Sequence, residues 1–279
     1  MAASTKVRPQ RRNRPEEADM SFEFFCATDT GRARNNNEDS VSMDEAASLI
    51  VLADGMGGYN AGEVASGMLT SFLTTELGRW LREASTTALD TDVKRAMDIC
   101  VDNGNRAIFN AANSNPQYAG MGTTLVVAVF RDSRLLMGHV GDSRAYRLRA
   151  GRLQQITHDH SLLQEQIDAG LITVEQAAFS ANKNLVTRAV GVEDTVLLET
   201  HVHEVMPGDL YLLCSDGLSD MLDDESISQL LQACDSLDEA AGALIDAAND
   251  AGGKDNISVI LARASSGSTA SRSWWPFRK

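Results

Sequence analysis

Four loops of this 279-residue chain carry carboxylates directly after a strand-like apolar run, and a fifth does so directly before one. The first four are Glu38-Asp39, Asp54-Gly55, Asp142 and Asp216 with Asp220; the fifth is Asp255-Asn256. Each alone reads as a turn or a helix cap. Together they constrain the fold. If the apolar runs lie side by side in sheets, the carboxylates collect at one end and repel one another. Cations relieve that repulsion, and oxygen-only ligands select hard divalent ions such as Mn²⁺ or Mg²⁺ over zinc.

The apolar runs predict strands over 21–28, 40–43, 49–53, 123–130, 135–140, 145–149, 153–156, 196–205, 209–214 and 257–262. Apolar residues at helical spacing predict helices over 63–82 and 92–112, then 161–169, 223–233 and 237–251. Residues 170–184 read as an irregular polar flap. Runs of strands with helices inserted in pairs, rather than strict alternation, predict an α+β layered domain: an antiparallel sandwich with helices on its outer faces. Residues 1–20 read as a disordered basic segment and 21–263 as one folded domain, with Met20 a candidate start. Residues 264–279 read as a flexible Ser-rich tail ending in Trp274-Trp275-Pro276-Phe277-Arg278-Lys279. That hexapeptide is amphipathic but short for a stable membrane anchor.

The net charge of −14 is unevenly spread. The two chain ends are basic, so the body between them is more acidic than the whole, which argues against nucleic acid as a partner. No apolar run approaches a membrane span and the N-terminus is not a signal peptide, so a soluble cytoplasmic protein is expected. Cys26, Cys100, Cys214 and Cys234 form no C-x-x-C pair, which argues against a cysteine zinc site.

Arg34 precedes Glu38 in the same polar loop. A guanidinium beside a metal cluster is a bidentate clamp for phosphate. Metals with a phosphate clamp point to phosphoester hydrolysis by a water that bridges two ions about 4 Å apart and attacks phosphorus in line.

Six motifs, in order, resemble those of the metal-dependent Ser/Thr protein phosphatases of the PPM (type 2C) family, in its compact bacterial form. They are Arg34-x-x-x-Glu38-Asp39-Ser40, Asp54-Gly55-Met56-Gly57-Gly58, Gly120-Met121-Gly122-Thr123-Thr124, Gly141-Asp142-Ser143-Arg144, Ser215-Asp216-Gly217-Leu218-Ser219-Asp220 and Asp255-Asn256. The resemblance implies a four-layer αββα sandwich, two antiparallel β-sheets flanked by helix pairs, with the metal site at one end. It implies two catalytic Mn²⁺ or Mg²⁺ ions and a weaker third. Asp54 would bridge the two ions and the Gly55 carbonyl would bind one, with Asp216 and Asp255 completing the first site. Glu38 would serve the second ion, supported by Asp39. Asp142 with Asp216 or Asp220 would hold the third, Arg34 would hold the phosphate, and Asn256 would orient Asp255. The implied partners are phosphorylated proteins and a cognate Ser/Thr kinase, the implied state a monomer. Two departures stand out: Met56 occupies a position where some members carry a histidine, leaving the general acid open, and Tyr59-Asn60 replaces a common histidine.

Two alternatives remain in view. Cys26 and Arg32 have the C-x-x-x-x-x-R spacing of a cysteine phosphatase, although Asp29 lies inside that loop. The other is a catalytically weak phosphatase fold that binds phosphoproteins, which the full set of carboxylates argues against. Among the histidines, His201 and His203 share one strand face and read as exposed strand residues or half of a metal site. His158 and His160 flank Asp159 and read as loop-structural residues, with His160 a candidate proton donor.

Overall fold

A computed structural model describes residues 20–58, 61–84, 88–177 and 185–267. The strands are β1 Met20–Asp29, β2 Asp39–Asp44, β3 Leu49–Met56, β4 Gly122–Thr123, β5 Leu125–Arg131, β6 Arg134–Val140, β7 Arg144–Arg149, β8 Arg152–Gln155, β9 Glu199–Glu204, β10 Leu210–Cys214 and β11 Ile257–Ser266. The helices are α1 Ala61–Glu83, α2 Asp90–Ser114, α3 Leu162–Asp168, α4 Val174–Ala177, α5 Asp216–Ser219, α6 Asp224–Ala233 and α7 Leu237–Asp250. One sheet has the order β1-β11-β10-β7-β8; the other runs β2-β3-β5-β6-β9, with β4 paired to the end of β3. Every strand pair is antiparallel.

The central strands read as continuous apolar runs because both of their faces are covered. In β3, Leu49 and Val51 pack under α1 and α2, while Ile50 and Leu52 point to the opposite sheet. Strand β5 divides in the same way: Val127 and Val129 face the helices, Val126, Ala128 and Phe130 the other sheet. In the second sheet, Leu212, Cys214, Val259 and Leu261 pack against α6 and α7, while Tyr211, Leu213, Ile260 and Ala262 face inward. The result is the expected four layers with three cores. Helix α1 meets its sheet through Ala61, Ala65, Leu69, Leu73 and Leu77, one residue per turn, all fully buried.

Antiparallel pairing brings the carboxylate-bearing boundaries to one end. The start of β2, the end of β3, the turn from β6 to β7, the end of β10 and the start of β11 all lie there.

Several boundaries differ from expectation. Strand β3 does not stop at Ala53: Gly55 and Met56 pair with Thr123 and Gly122, so Asp54 belongs to the ladder rather than to a loop. Strand β11 runs to Ser266, with Ala264 buried and Met20 opposite Ser266, so ordered pairing passes both proposed domain boundaries. Strand β9 begins only at Glu199, and the short helices α4 and α5 appear where none was expected. Residues 1–19, Tyr59-Asn60, flap residues 178–184 and the tail 268–279 lie outside the described residues.

Leu52 is fully buried between the sheets. Leu52→Ala is expected to lower unfolding free energy by about 2–5 kcal/mol. Urea denaturation would show this as a reduced midpoint at an unchanged slope.

Candidate active site

The Arg34–Glu38 loop is seated on the loop before β11. The backbone N–H groups of Arg32 and Ala33 donate to the Gly253 carbonyl at 2.7 and 3.1 Å. Asn256 is the joint: its Oδ1 accepts the Glu38 N–H at 2.8 Å, and its Nδ2 donates to the Thr30 and Asn36 carbonyls, both at 2.9 Å. Its side chain therefore shapes the Glu38 loop, and only its backbone N–H reaches Asp255, at Oδ1, 2.8 Å away. The expected link from Asn256 to Asp255 thus runs through the backbone, while the side chain serves the Glu38 loop. Buried amide groups are satisfied by backbone across the loop, a geometry invisible to sequence spacing.

Asp54 is held through its own backbone. Its N–H donates to Thr124 Oγ1 at 3.0 Å, and its carbonyl accepts from the Thr124 N–H at 2.8 Å and Thr123 Oγ1 at 2.9 Å. Thr124 Oγ1 in turn meets Ser143 Oγ at 2.8 Å, next to Asp142. This is the role of the Thr123-Thr124 motif, to which sequence reasoning assigned none. On the other side, the Gly55 N–H donates to the Glu38 carbonyl at 3.0 Å, as does Ser66 Oγ at 2.6 Å. A Cβ on Gly55 would stand 2.1 Å from the Gly62 carbonyl oxygen and 2.5 Å from that of Glu38. Glycine here permits the close packing of β3, the Glu38 loop and the first turn of α1.

The Asp142 turn is braced by Arg144, whose guanidinium binds Asp159 with Nε and Nη2 at 2.9 and 2.7 Å from Oδ2. The Gly141 carbonyl accepts the His160 N–H at 2.9 Å, and the Gly141 N–H donates to His160 Nδ1 at 3.1 Å.

These anchors open a cleft of about 230 Å³ lined by Arg34, Glu38, Asp54, Gly55, Met56, Gly57, Thr124, Asp142, Val186, Asp216, Asp255 and Asn256. Seven predicted residues thus come together: Arg34, Glu38, Asp54, Gly55, Asp142, Asp216 and Asp255. Asp39 does not line the cleft. It lies beneath, opposite Asp54 in the β2–β3 ladder, with Oδ2 accepting from Ser215 Oγ at 2.8 Å and Oδ1 buried without a partner. Asp220 instead borders a larger adjoining groove of about 710 Å³ that shares Asp142 and Asp216 with the cleft.

The charge balance is lopsided. Arg34 donates Nη2 to Asp255 Oδ2 at 2.7 Å and remains half exposed. Against it stand five carboxylates. Burial, then Asp39, Asp216, Asp142 and Asp255, push the Asp54 carboxyl well above its usual range. Burial, then Asp142, Asp220, Asp255 and Asp39, do the same to Asp216. Asp142 is pushed up to about 6, by burial first and Asp159 next. Asp39 also reaches about 6, chiefly through burial. In all four the shift is upward because burial and like charge both disfavour the ionised form. The lining carries five carboxylates, from Glu38, Asp54, Asp142, Asp216 and Asp255, and neither histidine nor cysteine. This donor set fits hard divalent cations. The carboxylates ring the cleft rather than converge on one point. Among the described residues, the trio offering ligand atoms within 4.8 Å of one another lies elsewhere, at His139, Glu199 and His201.

Neither Cys26 nor His160 lines this cleft. Cys26 sits within β1 opposite Ile260, and burial raises its thiol pKa, the reverse of what a nucleophilic thiolate needs. His160 Nε2 is engaged at Glu199 Oε2, 3.1 Å away.

An αββα sandwich carrying a ring of carboxylates and one arginine at its strand ends has the donor chemistry of a metal-assisted phosphoester hydrolase. Residues 30–257 match the family described as Protein phosphatase 2C, and the chain belongs to that family. The serine/threonine phosphatase stp of Listeria innocua is 38% identical over 247 residues, spanning 87% of this chain and 95% of that protein. The crystal structure of Mycobacterium tuberculosis PstP/Ppp matches with a TM-score of 0.79 at 40% identity, over 87% of this chain and 98% of that one. The PstP catalytic domain in complex with two manganese ions matches at 0.77 and 39% identity, covering 88% and 99%.

The raised carboxyls set a pH dependence with a definite sign. A carboxyl whose folded pKa exceeds its unfolded value favours the fold while protonated, and that contribution disappears as pH rises through the folded pKa. For Asp39 and Asp142, at about 6 each, the loss falls between roughly pH 4 and pH 6. In EDTA, each of the two is expected to withdraw stability on the order of 2–3 kcal/mol across that window. Excess Mg²⁺ should restore the loss above it, and Asp142→Asn should reduce it by the share of Asp142 and leave that of Asp39. Thermal unfolding across pH, with and without Mg²⁺, measures all three.

Proposed function

We propose that this chain hydrolyses phosphoserine and phosphothreonine in proteins, with Mn²⁺ or Mg²⁺ held in the carboxylate cleft. The observation that carries the reading is the crowding of Asp54, Asp216, Asp142 and Asp39 behind a single arginine at the strand ends. Membership of the protein phosphatase 2C family supports it, as do relatives titled serine/threonine phosphatases and the two manganese ions bound by the PstP catalytic domain.

Asp54 and Asp216, with Asp255 and Glu38, would hold two ions, Asp54 facing both and the Gly55 carbonyl serving one. A ring of carboxylates wider than one coordination shell suits more than one ion. Bound, the ions supply Lewis-acid charge and lower the pKa of a water at the phosphorus. The chain itself supplies the rest. The Thr123-Thr124 pair and Asn256 fix the carboxylates before substrate arrives, so no reorganisation accompanies reaction. Arg34 is half exposed at the cleft mouth, and its guanidinium can exchange the Asp255 carboxylate for a phosphate of the same fork geometry. Asp39 is the buried neighbour that keeps Asp54 in place and tunes its charge, a role behind the ligands rather than among them. Asp142, with Asp216 or Asp220, borders both cleft and groove and is the candidate position for a weaker third ion. The adjoining groove offers room for the protein substrate flanking the phosphoresidue.

The partners follow from the reaction: phosphorylated proteins and a Ser/Thr kinase whose work is reversed. Among the described residues no helix is long and apolar enough to cross a membrane. A cytoplasmic, monomeric enzyme is the accompanying proposal.

Asp54→Asn is expected to lower turnover of a phosphothreonine peptide by about a thousandfold or more. EDTA should abolish wild-type turnover and iodoacetamide should leave it intact. Turnover that survives EDTA would overturn the reading. Arg34→Ala is expected to raise KM for the peptide and to lower kcat/KM by about 10²-fold, the loss of a charge-assisted phosphate contact. Steady-state kinetics with saturating Mn²⁺ separates the two effects.

A further inference from the structure

The chain has five histidines, and the rings of four of them, His139, His160, His201 and His203, meet along the β6–β9 edge of the sandwich, outside the carboxylate cleft. His139 and His160 stack with ring centroids 4.8 Å apart and planes 15° apart; His139 and His201 are 6.1 Å apart, as are His201 and His203. The remaining one, His158, contributes its backbone carbonyl. The register explains the gathering: His139 stands opposite Glu199, and Met137 opposite His201, so His139, Glu199 and His201 lie on one face of the ladder. That face turns toward the space between the sheets, where Met137 is fully buried. His201 and His203 are therefore half-buried, not the exposed strand residues their spacing suggested.

His139 is the telling member. Its side chain is completely buried. Its Nε2 lies 2.8 Å from the His158 carbonyl, which can only accept, so Nε2 carries the hydrogen. The His158 N–H also approaches Nε2, but at 3.4 Å, and in this tautomer that contact sets two donors face to face. Nδ1 is then a bare lone pair, buried and without any hydrogen-bond partner. A buried acceptor left unsatisfied is destabilising unless something fills the position. An imidazole whose far N–H is held by a backbone carbonyl, with its near nitrogen deprotonated, is the arrangement found at metal-ligating histidines.

We propose that His139, Glu199 and His201 form a second cation site, for a borderline divalent transition metal of the Zn²⁺ class rather than for Mn²⁺ or Mg²⁺. One ligand atom from each residue lies within 4.8 Å of the others. A tetrahedral shell with metal–nitrogen bonds near 2.0–2.1 Å has ligand-to-ligand edges of about 3.3 Å. His201 is 40% exposed, so its ring can turn to close that gap. Glu199 already faces two imidazoles, with Oε1 2.9 Å from His201 Nε2 and Oε2 3.1 Å from His160 Nε2. Two imidazoles and one carboxylate, with a fourth position left for water, select this class of ion by donor softness, whereas the carboxylate cleft selects hard ions. The site is joined to the cleft by hydrogen bonds: Glu199 holds His160, whose Nδ1 accepts the Gly141 N–H beside Asp142.

Titration of the full chain with Co²⁺, in excess Mg²⁺ to fill the cleft, tests this directly. Four-coordinate cobalt with imidazole ligands absorbs strongly in the visible, and six-coordinate oxygen-ligated cobalt only weakly. The expected result is strong bands saturating at about one equivalent in the wild type and undiminished in Asp54→Asn. Glu199→Gln and His201→Asn, with near-ultraviolet circular dichroism confirming the fold, should weaken the binding by about tenfold or more. Absence of the bands in the wild type, or their persistence unchanged in both folded variants, would overturn the site.

Discussion

Repulsion among buried carboxylates at one end of the sandwich is the constraint on which the rest of this structure depends. Asp54 and Asp216 are both pushed well above the usual carboxylate range, by burial first and by neighbouring carboxylates next. A fold built for stability alone would not gather them. Their placement is tolerable because the surrounding backbone is tied down independently of the charges. The Thr123-Thr124 pair clamps Asp54, Asn256 pins the β1–β2 loop at three points, and Arg144 locks Asp159 under the Asp142 turn. The protein thereby stores an electrostatic deficit that divalent cations can relieve.

The layered core makes this possible. Strands covered on both faces give a rigid frame whose ends hold their positions, and the loops that carry the acidic groups are short extensions of that frame. Close approach does the final adjustment. Gly55 against Gly62 lets β3 meet the start of α1, and Gly31, at φ +80°, lets the Arg34 loop lie against the Asp255 backbone. A side chain at either position would push the arginine and the carboxylates apart.

Two donor chemistries are kept separate in one small domain. The strand-end cleft presents carboxylates and no imidazole, while the β6–β9 edge gathers the rings of four of the five histidines. The separation arises from strand register. Moving β9 by one residue along β6 would turn Glu199, His201 and His203 to the outer face and dissolve the cluster.

Much of the cleft was legible in the sequence. Apolar runs bounded by Asp-Gly and Gly-Asp turns carry strand and turn signals locally, and antiparallel pairing then sends their ends to one place, so Asp54, Asp142, Asp216 and Asp255 could be grouped before any coordinates. The two-sheet, helix-flanked architecture followed from the period of those runs and from the resemblance of the six motifs. What the sequence could not specify was depth and register. Nothing in the spacing distinguishes Asp39, buried beneath Asp54, from Glu38, facing the cleft, because adjacent residues in a strand point to opposite sides and the pairing decides which is which. Asn256 reads as a helper of Asp255 because it is next to it, and its backbone N–H does reach that carboxylate, but no spacing shows that its side chain serves residues more than two hundred positions away. His139 carried no signal at all, lying 60 residues before Glu199 in an apolar run. By itself the sequence determined which chemistry the strand ends carry, since residue type and local period are local properties. Only the tertiary structure decided which groups are ligands, which are supports and where the histidines meet, because burial and cross-strand neighbours are set by the whole chain.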